Sequence, residues 1–189
     1  MTDEADRKPA AADALPAYAL EARPKRIKRV KLALLLASLA ACVSVTIIGF
    51  VLIGLMEAFS AVARVRAFSG ENNVLSGAML AFQLSALNFF IFFITVPAAA
   101  LALGLSIGRM PHRGVTRLAP YLRWGGIWGA ILVGATTGLF GMLGGALSFA
   151  GALLAGLGVG ALAGLICGLI FHAIINPAKQ AGELDVSIF

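Results

Sequence analysis

Charge is what this sequence has least of. Aspartate, glutamate, lysine and arginine make up 13% of the chain, and none occurs between Glu71 and Arg109 or between Arg123 and Lys179. Each gap exceeds the ~20 residues that a helix needs to cross a ~30 Å hydrocarbon core. A soluble domain clothes itself in polar side chains, so these gaps exclude an ordinary soluble globule.

Histidine and cysteine are almost as scarce. The two cysteines, Cys42 and Cys167, and the two histidines, His112 and His172, are scattered singly. That excludes the clustered spacing of a structural metal site and the framework of a disulfide-rich secreted domain. Cys42 and Cys167 read instead as small apolar core residues. The chain also lacks HExxH, CxxC and a Gly-Lys-Ser/Thr phosphate loop. No pair of carboxylates falls inside an apolar run, and Ser69 and Ser148 have no histidine at matching depth. No catalytic residue, metal or cofactor is assigned on this pattern, and a non-enzymatic role is expected.

What the chain does have is apolar length. Hydrophobic residues make up 60% of it, with a mean hydropathy of +0.93. The expectation is an all-α polytopic membrane protein with four transmembrane helices. They lie at about 32–56, 74–107, 125–145 and 149–176, preceded by a tail over 1–31 and followed by a short one over 177–189. Leu39-Ala40-Ala41-Cys42 resembles a lipoprotein cleavage box. However, the long acidic-and-basic stretch before it and the apolar run continuing beyond it read as an uncleaved span.

Asn72 and Asn73 are candidate N-caps for the second segment, and Pro97 predicts a kink or tilt within it. Tyr121, Trp124 and Trp128 read as an aromatic belt where the third segment enters the bilayer. Asn176-Pro177 stops the fourth. Only Gly144, Gly145 and Ser148 separate the third and fourth segments, which makes them an antiparallel hairpin.

The net charge of +6 sits in particular places. Arg23, Lys25, Arg26, Lys28, Arg29 and Lys31 directly precede the first apolar run, where they would meet anionic headgroups, as would Trp124 and Trp128 at their own interface. No aromatics interleave with the basic residues as in a nucleic-acid platform, so no nucleic-acid partner is expected. With four spans, eight basic residues of the tail, four of the middle loop and Lys179 share one side, against Arg64 and Arg66 on the other. The positive-inside rule then places both termini in the cytoplasm. Heavy use of Ala, Gly, Leu and Arg is that of a GC-rich bacterium, and the expected location is its inner membrane.

Glycine carries the remaining signal. Gly156, Gly160, Gly164 and Gly168 recur every four residues, and Gly134, Gly138, Gly141 and Gly145 form a second small-residue stripe. Residues at i and i+4 share one helix face, and small faces let membrane helices approach closely. Gly129, Gly151 and Gly158 lie off these stripes. That surplus points to a second close neighbour: another copy of the chain, a larger membrane complex that this chain serves as an accessory or assembly subunit, or a flat lipid or pigment. The alternative is a small channel or transporter component whose hairpin lines or hinges a solute path, with Thr136 and Thr137 beside it.

A third reading rests on His172, one turn after Gly168, as a ligand to a haem or pigment ring lying over that glycine. Glu57, at the far end of the first segment, is the other ion-site candidate. Gln83, Ser85 and Asn88 are expected to bridge helices, and Phe82, Phe89 and Phe93 to form one aromatic stripe.

Overall fold

A computed structural model of the chain describes residues 30–63, 72–113 and 115–175, in which the backbone is helical nearly throughout. Five α-helices follow in order: α1 (Val30–Ala63), α2 (Val74–Leu87), α3 (Phe92–Ser106), α4 (Leu118–Gly141) and α5 (Ala146–Ile175). A 3-10 turn at Asn88–Ile91 joins α2 to α3, so the two are halves of one span. The fold is therefore all-α and polytopic, with four helices long and apolar enough to cross a membrane: Val30–Ala61, Val74–Arg109, Leu118–Gly144 and Ala146–Ile175. Arg23, Lys25, Arg26, Lys28, Arg29, the loop basics Arg64 and Arg66, the Asn176-Pro177 stop and both tails lie outside the described residues. Lys31 is exposed in the first turn of α1.

The spans run alternately up and down. At one end Ala33, Leu103, Ile107, Tyr121, Phe171 and Ile175 pack into one buried cluster. This joins the start of α1, the end of α3, the start of α4 and the end of α5. At the other end Asn72 reaches the turn between α4 and α5. α5 is the central element, lying along α4 and also packing on α2 and α1.

Helices in lipid gain little from burying apolar surface, so they associate by close contact and by hydrogen bonds between them. Here the contacts are backbone to backbone. A Cβ placed on Gly164 would run into the carbonyl of Gly125, and one on Gly125 into the carbonyl of Gly164. Gly160 and Gly129 oppose each other in the same reciprocal way. In each case the glycine Cα–H faces a carbonyl, the arrangement of a weak Cα–H···O contact. Thr137 adds a conventional bond across the same seam, its hydroxyl donating to the Ala152 carbonyl at 2.9 Å.

Several expected boundaries move. α1 continues to Ala63 rather than ending near residue 56. α4 starts at Leu118, seven residues before the expected start, because Pro120 falls in its first turn, where a missing N–H costs nothing. Gly145 is not part of a helical stripe. With φ +97° it is the turn residue that lets α5 begin at Ala146.

The second span breaks at Asn88–Ile91 and not at Pro97, which sits within the second turn of α3. The amide of Asn88 donates to the Cys42 carbonyl on α1 at 3.4 Å, so a tertiary contact anchors the break. The tighter 3-10 winding also changes the phase of the helix. Phe82 consequently packs inward beside Val45, Val159 and Ala163, whereas Phe89 and Phe93 point outward at 62% and 75% exposure. The single aromatic stripe is thereby split.

Candidate functional site

The break in the second span holds α3 apart from the hairpin and opens a cavity of about 460 Å³. Its walls come from all four spans. Cys42 and Val45 line it from α1, Ser85 and Asn88 from α2 and the turn, and Ala99 and Leu103 from α3. Trp128, Thr136, Thr137 and Phe140 line it from α4, and Ala163 and Cys167 from α5.

The sequence produces this space in two ways. Gly125, Gly129, Gly160 and Gly164 form part of the wall and contribute no side chains to fill it. Ala41, Ala98, Ala99 and Ala163 contribute only methyl groups. The lining holds hydroxyls, thiols, one amide and one indole, and among the described residues no Asp, Glu, Lys, Arg or His. Phe90, Ile91, Thr136 and Phe140 are exposed lining residues set within the spans, so the mouth of the cavity faces the hydrocarbon layer.

Most of the polar groups are satisfied locally. Ser85 donates to Ala81 O at 2.8 Å, Thr136 to Leu132 O at 2.8 Å and Thr95 to Ile91 O at 3.3 Å, each bonding back to its own helix. Ser85 thus does not bridge helices in the way expected, while Asn88 does. Gln83 lies half-buried in an adjoining, more open groove with Thr46 and Phe50, which shares Leu87 and Phe90 with the cavity. Trp128 differs from all of these. Its indole Nε1 is sealed off and meets no acceptor among the described residues.

Trp128 lies about 15 Å along α4 from Leu118, half-buried against the cluster at that end of the bundle. Tyr121 does not face outward. It is fully buried, donating its hydroxyl to Val115 O at 2.7 Å. Trp124, 43% exposed, is the one member of the expected belt that faces outward.

The other candidates lie away from the cavity. His172 Nε2 is 3.0 Å from Thr116 O, and its ring meets Tyr121 edge-on at 5.2 Å. The space over Gly168 that a flat macrocycle would need is taken by the Tyr121 and Leu122 backbone. Glu57 is exposed on the outer face of α1.

The glycine stripes are occupied within the chain: Gly156 by Thr137, Gly160 by Gly129, Gly164 by Gly125 and Gly168 by Tyr121. Gly134 meets Leu157, Gly138 meets Leu153 and Phe149, and Gly141 meets Ala152. Of the supposed surplus, Gly129 faces Gly160 and Gly151 faces Val74, leaving Gly158 with open space.

Sequence reasoning missed the cavity because its lining is drawn from four spans and no local pattern joins them. One signal was present. Trp128 stands between Gly125 and Gly129, a large ring flanked by two positions without side chains. Compared with known protein families, curated proteins and solved structures, the chain matches none of them.

Proposed function

We propose that this chain is a non-catalytic, multi-pass protein of a bacterial inner membrane that holds a small apolar molecule dissolved in the bilayer. The observation that carries this reading is the 460 Å³ cavity, lined among the described residues by no charged side chain and opening within the spans. Its volume falls within the ~300–1,000 Å³ range of ligand pockets, and its few polar groups among apolar walls match their usual make-up. Apolar space of this size is costly to leave unfilled, since the lining forgoes its dispersion contacts.

The channel alternative draws less support, because an ion path calls for charged or carbonyl-lined walls. The accessory-subunit reading depended on glycines left over for a neighbour, and only Gly158 of those named is open. The proposal keeps both termini cytoplasmic, with the basic cluster before α1 against anionic headgroups.

The test is native mass spectrometry of the protein taken gently from its own membranes. One apolar species should be retained stoichiometrically and be lost from Ala163→Phe, which fills the cavity from α5. Ala99→Phe fills it from the more loosely packed α3 and guards against a folding defect in the first variant. Retention of the bulk lipid mixture alone, unchanged in both variants, would overturn the reading.

A further inference from the structure

The connection between the second span and α4 is tied to the bundle at several points. Met110 N donates to Ile107 O at 3.1 Å, and Arg113 N and Val115 N both donate to Met110 O, at 3.0 and 3.2 Å. From the neighbouring helices, Tyr121 donates its hydroxyl to Val115 O at 2.7 Å, and His172 Nε2 lies 3.0 Å from Thr116 O. Pro111 is buried, and Met110 and Val115 pack on the apolar cluster at that end of the bundle.

This pinned connection presents charge of one sign. Arg109, Arg113 and Arg117 within it, and Arg123 in the second turn of α4, are all exposed. The one carboxylate among the described residues, Glu57, stands at the opposite end of the bundle. The start of α4 receives no side-chain cap, so its first-turn amides add partial positive charge. Guanidiniums gathered in this way repel one another until an anion lies between them. Because the backbone that carries them is already fixed, binding costs less in ordering.

We infer that this connection is a binding site for the phosphate of an anionic phospholipid. The guanidinium fork matches phosphate oxygens two at a time. The adjoining surface distinguishes a lipid from a soluble phosphate. Arg123, Ile127 and Ile131 recur every fourth residue on one face of α4, with Trp124 alongside, and all four are exposed. A headgroup held at Arg123 lays its chains along the isoleucines, with the indole at the boundary between head and chain. The site lies on the outer surface and does not depend on what fills the cavity.

The experiment is native mass spectrometry of the full-length protein, delipidated and then titrated with phosphatidylglycerol or with phosphatidylcholine of the same chains. The first phosphatidylglycerol should bind at least ~10-fold more tightly than the zwitterionic lipid. Arg109→Gln, Arg113→Gln, Arg117→Gln and Arg123→Gln together should abolish that preference. The same four positions changed to lysine keep the charge that orients the chain, and should weaken the anionic lipid about tenfold through loss of the paired bonds. Replacing Arg23, Lys25, Arg26, Lys28, Arg29 and Lys31 by glutamine should leave the first binding step unchanged.

Loss of the preference from the tail variant, with the four-glutamine variant unaffected, would overturn the assignment. A four-lysine variant as tight as the wild-type protein would show diffuse attraction in place of a built site, and would overturn it as well. Displacement of the lipid by an equal concentration of inorganic phosphate would overturn the choice of a lipid.

Discussion

At the scale of single residues, the glycines divide by what lies opposite them. Gly164 has a carbonyl where a Cβ would go, whereas Gly158, on the same helix, has nothing within 4 Å. Gly164→Ala must therefore push α4 and α5 apart, at a cost of about 1–3 kcal/mol for overpacking. Gly158→Ala adds a methyl group in open space and relieves the helix of a weak former, so it should be neutral or stabilising by up to ~1 kcal/mol. Unfolding titrations of the two variants in mixed micelles measure the difference. Equal effects would mean that the close seam contributes nothing. The sequence showed where the glycines were but not which had neighbours, because spacing defines a face and not its partner.

At the scale of elements, the ends of helices decide the outcome. Asn73 caps its own helix, accepting from Ser76 N at 2.6 Å. Asn72 caps a distant one: its side-chain oxygen accepts from Leu147 N at 2.9 Å and Ser148 N at 3.1 Å, in the first turn of α5. Gly145, which has no side chain, stands at that cap position with φ +97°. One asparagine thus does for α5 what a serine or aspartate does elsewhere, from about seventy-five residues away in sequence. Asn72→Ala should cost about 1 kcal/mol, with faster hydrogen exchange in the first turn of α5 and little change in α2. Asn73→Ala should show the opposite distribution. Both asparagines were legible as caps, but the helix that Asn72 serves was not, since that depends on where the hairpin turn arrives. The break at Asn88 was hidden for a similar reason. Pro97 was the visible disruptor, while Asn88 acts through a carbonyl on another span.

At the scale of the whole molecule, the all-α class and the four apolar helices were legible because hydrocarbon thickness constrains helix length directly. The cavity was not, since it exists only where Cys42, Asn88, Trp128 and Cys167 come together from separate spans. The alternation makes a prediction of its own. Arg113 and Leu143 are both exposed and lie at opposite ends of the bundle. With Cys42 and Cys167 replaced by alanine, Arg113→Cys should react with an impermeant maleimide only in inverted vesicles, and Leu143→Cys only in intact spheroplasts. The reverse pattern would invert the proposed orientation. Finally, the cavity mouth opens within the spans, past Phe90, Ile91 and Phe140. Under the proposed function, a guest arriving there would never pass through water, so its occupancy would follow its mole fraction in the lipid and not its concentration in the buffer. Diluting the suspension tenfold would leave the site as full as before, while adding bare lipid would empty it.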